Sequence, residues 1–172
     1  ARLEKFDFPV RLNETTRAYF EQLAKMQTGQ DAQDMEAVAA SPPDAAAVER
    51  LSTRPAYNAQ LRTTCVATRL EGGHADNALP QLARAMVNCR IVPGETPDQV
   101  REMLVKTVAD SQISVKPDRL DTPSDPSPLT AELSGAIRKL APKFWPGAPL
   151  LPTMSAGATD GRFLRNAGIP TY

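Results

Sequence analysis

The segment Gly72-Gly73-His74-Ala75-Asp76-Asn77-Ala78-Leu79-Pro80 separates two strand-like stretches and decides the fold of this chain. Two adjacent glycines and Asn77 tolerate the positive φ angles that a tight connection needs. Residues 61–71 before the loop are rich in β-branched residues, Thr63, Thr64, Val66 and Thr68, which favour strands. Residues 83–92 after it alternate, with Ala, Val, Cys and Ile on one face and Arg, Met and Asn on the other. The pattern predicts an antiparallel hairpin with one buried face.

Helical signals lie on both sides of this hairpin. Asn13 is placed to cap a helix that starts at Glu14, and two shorter helices are predicted over 31–40 and 44–52. Thr96-Pro97-Asp98-Gln99 is a capping box with proline at the first helical position. A helix with one apolar face is therefore predicted after it.

A further strand is predicted over 112–116, with Ile113 and Val115 facing inward. The order helix, strand, strand, helix, strand becomes β-α-β-β-α-β if one more strand precedes Ala1, and that is the split ferredoxin-like unit. We therefore expect an α+β fold over residues 1–116, with an antiparallel sheet and two helices on one of its faces.

A polar run with four prolines, 117–128, is predicted to be a linker. Beyond it, Ser127 and Pro128 are expected to open a helix, 149–152 to form a short strand, and 160–166 to form a last helix. Residues 129–172 hold too little apolar material to fold alone. We expect them to be an incomplete α/β piece of a second domain.

The composition is that of an ordinary globular protein. The 172 residues are 41% hydrophobic and 23% charged, with 20 basic and 20 acidic residues. Zero formal charge gives no electrostatic reason to expect nucleic acid or a membrane as a partner, and no apolar run approaches the roughly 20 residues that span a bilayer. Neither end has the character of a natural terminus, so we expect a piece of a longer protein whose compartment the sequence does not reveal.

Residues that could carry catalysis are few. His74 is the one histidine, and no second histidine or nearby nucleophile completes a metal site or a hydrolytic triad. Cys65 and Cys89 are either two small buried side chains or a disulfide, because the hairpin would bring them near each other. The residues alone therefore predict no catalytic centre.

Binding chemistry is better represented. Asn77 offers a donor and an acceptor from a turn, and the alternative is a turn-stabilising role. Arg162 lies in the first helical turn after a small-residue loop and would suit a carboxylate, the alternative being a surface pair with Asp160. Gly157 and Thr159 belong to that loop, where a ligand can approach the backbone closely.

Together these residues resemble the aminoacylase/carboxypeptidase family of dinuclear zinc hydrolases, and most closely its carboxypeptidase S-like, Gly-X carboxypeptidase branch. The matching motifs cover nearly the whole chain: Phe8-Pro9-Val10-Arg11-Leu12-Asn13, the 72–80 loop, Arg90 with Pro93-Gly94, Gly157-Ala158-Thr159-Asp160-Gly161-Arg162, and Gly168-Ile169-Pro170.

The resemblance implies a two-domain enzyme that cleaves amide bonds of peptides or N-acyl amino acids with a free carboxylate. Two zinc ions and a general-base Glu would lie in the catalytic domain, and a ferredoxin-like lid would mediate homodimerisation. By the same resemblance Asn77 would touch the substrate and Arg162 would hold its carboxylate. Gly157 and Thr159 would shape the pocket.

The chain departs from the family pattern where the metal is bound. The family's His-x-Asp pair, its Glu-Glu pair and its late histidine are absent, as is the lid histidine that helps to stabilise the oxyanion, and His74 is not at that position. We therefore expect this chain by itself to bind no zinc and to be inactive.

Two alternatives stay open: a non-catalytic ferredoxin-like module for dimerisation or small-molecule binding, and an unrelated α+β regulatory domain. The acyl group, the amino-acid preference, the activity of the parent protein and the redox state of the cysteines are left undetermined by the sequence.

Overall fold

The computed structural model describes residues 2–119 and 122–172; Ala1, and Leu120 and Asp121 of the predicted linker, lie outside the described residues. The fold is α+β, as predicted, and is consistent with a ferredoxin-like domain. Helices and strands follow the order α1 (Glu14–Ala24), α2 (Gly29–Ala39), α3 (Ala45–Ser52), α4 (Pro55–Leu61), β1 (Thr64–Gly72), β2 (Ala83–Arg90), α5 (Pro97–Val108), α6 (Ala131–Phe144) and α7 (Gly161–Asn166). In the part of the chain that is described, no helix is long and apolar enough to cross a bilayer.

The predicted hairpin forms as an antiparallel pair of β1 and β2. Its register runs from Thr64 opposite Arg90 to Gly72 opposite Ala83, with an irregularity between Ala67 and Arg69. Cys65 and Cys89 lie directly opposite each other, with Cα atoms 4.1 Å apart, and form a disulfide. Of the two interpretations that the sequence allowed for these cysteines, the structure therefore has the disulfide.

Helix α5 covers only the base of this hairpin. Phe8, Val100 and Leu104 are buried together, and the disulfide packs against them. A helix of 12 residues is about 18 Å long and a strand of eight residues about 27 Å, so the far half of the apolar face extends beyond α5. Leu70 on that half is 77% exposed. The predicted alternation holds over 87–91, where Val87, Cys89 and Ile91 are half-buried, whereas Ala83 and Ala85 farther from the base are exposed.

Helices α1 to α4 surround a separate apolar core. Its fully buried members include Phe20, Met35, Val38, Leu51 and Leu61. The predicted capping of α1 is present, since the Asn13 side chain accepts a hydrogen bond from the Thr16 N–H at 2.9 Å. Helix α4 is not predicted from the sequence, and it packs as the fourth helix around this core.

Three predicted elements differ from the structure. Residues 112–116 form a turn and irregular chain rather than a strand, and Ile113 is 54% exposed while Val115 does pack inward. Helix α6 begins after Thr130, whose hydroxyl accepts from the Leu133 N–H at 3.2 Å. Residues 149–152 are irregular. In each case a short local pattern favoured the predicted element. For α6, the Ser127 hydroxyl is bound to Thr171 instead of the helix start, and among the described residues 112–116 and 149–152 have no partner strand.

Asp34 of α2 ties the helical core together and should make its stability depend on pH. Arg50 donates to both carboxylate oxygens, at 2.8 and 2.6 Å, and this pairing holds the pKa of Asp34 below its ordinary value of 3.8. A lowered folded-state pKa stabilises the fold above the unfolded value, and the gain disappears as the pH falls through the folded value. We expect Asp34→Asn to lower the thermal unfolding midpoint at pH 7 and to have a steadily smaller effect below pH 3.8. The exposed Asp125→Asn is the control, and a penalty for Asp34→Asn that persists unchanged in acid would contradict the prediction.

Candidate functional site

Asn77 lies at the tip of the hairpin, at the end opposite the α5 cluster. It is exposed, and its side chain has no hydrogen-bond partner among residues 2–119 and 122–172. The turn is closed instead by the Ala78 N–H, which donates to the Ala75 carbonyl at 3.4 Å, and by Gly73 at φ +79°. The Asn77 amide is therefore presented to solvent rather than used to brace the turn.

Arg162 is the second residue of α7 and is half-buried. Its guanidinium carbon lies 4.6 Å from the centre of the Phe163 ring. The preceding loop contains Gly157, whose N–H donates to the Ser155 hydroxyl at 3.3 Å, and the exposed Thr159. A Cβ atom built on Gly161 would lie 3.1 Å from the Thr159 hydroxyl oxygen, so the loop turns tightly into the helix. Gly157, Thr159 and Arg162 are thus brought together on one short segment.

The structure leaves Asn77 apart from that segment. Among the described residues, no hydrogen bond, ion pair or ring contact joins Asn77 to Gly157 or Thr159. Whether Asn77 and Arg162 serve one ligand stays a prediction.

The C-terminal segment is anchored downstream of the loop by residues of the predicted linker. The Ser127 hydroxyl donates to the Thr171 carbonyl and accepts from the Thr171 N–H, each at 2.8 Å. Arg165 of α7 donates to the Ser124 hydroxyl at 2.9 Å. These contacts explain why Ser127 is not available to cap α6.

Upstream of the loop the anchor is Gln60, a residue of α4 that the sequence did not single out. Its side chain is buried, its Nε2 donates to the Met154 carbonyl at 2.7 Å, and its Oε1 accepts from the Met154 N–H at 3.4 Å. The two residues are 94 positions apart, and no local pattern signals the contact.

A buried polar cluster lies where the base of the hairpin meets α4. Glu95 is 3% exposed, pairs with the Arg11 Nε at 2.8 Å, and accepts from the Thr63 hydroxyl. The Thr63 oxygen in turn accepts from the Val92 N–H at 3.0 Å. An open cleft of about 330 Å³ adjoins this cluster, lined by Val10, Arg11, Leu12, Asn13, Arg17, Pro43, Pro93 and Gly94. The predicted site residues do not line it.

The described residues do not fit a zinc centre. No group of three histidine, cysteine, aspartate or glutamate side chains converges among them. Both cysteines are consumed by the disulfide, and His74 lies in the exposed turn. We therefore derive no catalytic step through a metal from this chain.

Comparison with known proteins identifies the family. Residues 7–115 match the model of the M20 peptidase dimerisation domain. The N-fatty-acyl-amino acid synthase/hydrolase PM20D1 of Homo sapiens is 34% identical over 128 residues, which are 71% of this chain and 25% of that protein. The Mus musculus PM20D1 is 37% identical over 126 residues, covering 69% and 24%.

A relative of a different name matches a slightly shorter part of the chain. The probable carboxypeptidase S-like 2 of Dictyostelium discoideum is 26% identical over 119 residues, covering 67% of this chain and 22% of that protein. The chain thus spans about a quarter of the length of the curated relatives it matches. No solved structure matches it.

Proposed function

Because the chain belongs to the M20 peptidase family and contains its dimerisation domain, we propose that it is part of a metal-dependent hydrolase that cleaves amide bonds next to a free carboxylate. The observation that carries the proposal is the match over 7–115 together with relatives that are named as acyl-amino acid hydrolases and as a carboxypeptidase. Peptides and N-acyl amino acids are the substrates this proposal covers.

In the proposal the 172 residues serve dimerisation and the binding of the substrate carboxylate. Residues 1–116 are the lid and the dimerisation unit, 117–128 a linker, and 129–172 a piece of the catalytic domain. The M20 family is generally metal-dependent, and we propose two zinc ions held by segments outside this chain. By itself the chain would then be inactive.

Self-association would use the hairpin. Leu70 on the apolar face of the hairpin is 77% exposed, Val66 on the opposite face is 63% exposed, and β1 pairs on one side only among the described residues. An open strand edge and an uncovered apolar face are surfaces that a second copy can cover. Sedimentation of the full-length protein should therefore give the mass of a homodimer.

Substrate recognition would use the exposed Asn77 and the half-buried Arg162. Arg162 would hold the carboxylate of the substrate, since a guanidinium binds a carboxylate through two parallel hydrogen bonds. Asn77 would contact the substrate from the hairpin, and Gly157 and Thr159 would shape the pocket. A movement of the hairpin and α5 relative to helices α1 to α4 would bring Asn77 toward the Arg162 segment, a motion of the kind that hinged enzymes make around ligands.

The test is the substrate preference of the full-length protein. We expect it to hydrolyse an N-acyl amino acid at least about a hundredfold faster, in kcat/KM, than the methyl ester of the same compound, because one buried charge pair contributes about 3 kcal/mol. A chelator should abolish the activity and added zinc should restore it. A folded, zinc-supplemented protein that dimerises and hydrolyses neither compound would favour the non-catalytic module instead.

A further inference from the structure

The buried amide of Gln60 connects two parts of the chain that are distant in sequence. Its side chain pairs with both polar groups of the Met154 backbone, donating at 2.7 Å and accepting at 3.4 Å. This reproduces the pairing of one peptide group with another, and it fixes the direction of the chain at Met154 as well as its position. The residue is 7% exposed, so a water molecule has little access to replace the amide.

Apolar packing holds the same segment. Leu151 packs against the core formed by α1 to α4, three residues before Met154. The stretch from Leu151 to Met154 is therefore fixed to the helical core by one apolar and one polar contact. Because the peptide groups of Met154 would lose their partner, removal of the Gln60 amide would favour release of the segment.

The anchor lies directly upstream of the loop assigned above to the substrate. Met154 precedes Ser155, whose hydroxyl accepts from the Gly157 N–H at 3.3 Å. At the other end of the loop, a Cβ on the buried Gly161 would lie 3.2 Å from the Thr171 Cγ2, and Thr171 is bound to Ser127. Both ends of the loop are therefore held by contacts with distant parts of the chain.

We propose that Gln60 is a positioning residue for substrate binding: by clamping Met154 it sets the loop of Gly157 and Thr159, and through the loop the Arg162 guanidinium, in place for the substrate carboxylate. This role rests on the proposed function of that loop. Misplacement by about 1 Å of a group that positions a substrate is enough to weaken its contribution strongly.

The test compares two substrates in the full-length enzyme, an N-acyl amino acid and its methyl ester. Gln60→Leu approximately keeps the volume of the side chain and removes both of its hydrogen bonds to Met154. We expect it to raise KM for the acid about tenfold while kcat and all parameters for the ester stay within about twofold, because the ester does not use the carboxylate contact. The ratio of acid to ester kcat/KM should therefore fall about tenfold.

Leu51→Ala is the matched control, because it weakens the same helical core without touching the clamp. It should lower the unfolding midpoint and leave the acid-to-ester ratio unchanged. If Gln60→Leu does not fold, Gln60→Met carries the same expectation, since a thioether of similar length cannot donate to the Met154 carbonyl. Hydrogen exchange in the unmutated protein supplies an independent readout, with slow exchange expected at the Met154 N–H.

The outcomes separate this role from the function on which it rests. An unchanged acid-to-ester ratio in a folded Gln60 variant, or a rapidly exchanging Met154 N–H, would overturn the positioning role and leave the hydrolase proposal intact. A wild-type enzyme that does not prefer the acid would overturn the proposed function, and the role of Gln60 with it.

Discussion

Arg162→Ala in the full-length enzyme should lower kcat/KM for an N-acyl amino acid by about 100- to 1000-fold. Loss of one partner from a desolvated charge pair costs about 3–4 kcal/mol, and each 1.36 kcal/mol is about a factor of ten. Steady-state kinetics with the acid and with its methyl ester measure the effect, which should be confined to the acid.

The stability of the fold should change little in the same variant. Arg162 belongs to neither apolar core, and its guanidinium contacts the 60% exposed ring of Phe163, so its truncation should cost far less stability than removal of a core side chain. Arg138→Ala on the exposed side of α6 is the matched control and should leave both activity and stability unchanged. Wild-type kinetics in Arg162→Ala would remove this residue from the site.

Phe20→Ala should have the largest effect on folding, a loss of about 3–5 kcal/mol in the free energy of unfolding. Phe20 is completely buried in the core of α1 to α4, with edge-on ring contacts to Tyr19 and Tyr57 at 5.1 and 6.2 Å. Truncation leaves a cavity beside the rings of Tyr19 and Tyr57 that neighbouring helices cannot fill without moving.

Urea unfolding of the full-length protein measures this loss. The control is Met26→Ala in the turn after α1, where the side chain is 49% exposed and the expected loss is below about 1 kcal/mol. Equal losses in the two variants would mean that α1 does not pack as described.

The sequence predicts those parts of the fold that local patterns determine. Alternation along 83–92 and the glycines at 72 and 73 predict the hairpin, and the capping residues Asn13 and Thr96 place the starts of α1 and α5 where the structure has them. Each signal works because the residues that make it also satisfy the backbone groups nearby.

The features that the sequence does not predict depend on contacts between residues that are far apart along the chain. Ser127-Pro128 has the pattern of a helix start, yet the Ser127 hydroxyl is bound to Thr171, and Thr130 caps α6 instead. Helix α4 is too short for a visible apolar stripe. The Gln60 contact to Met154 crosses 94 positions, which no local rule can detect.

The disulfide has a mechanical consequence for the tip of the hairpin. Because Cys65 and Cys89 are joined near the base of the hairpin and pack against α5, the two strands cannot slide past each other, and a tilt of the base would be transmitted along both strands. Over a strand length of about 27 Å, a tilt of roughly 10° at the root displaces the tip by about 5 Å. A small tilt of the base is therefore sufficient to move Asn77 by about the width of a small ligand. Reduction of the disulfide would loosen the link between the two strands, and the tip would then follow the base less closely.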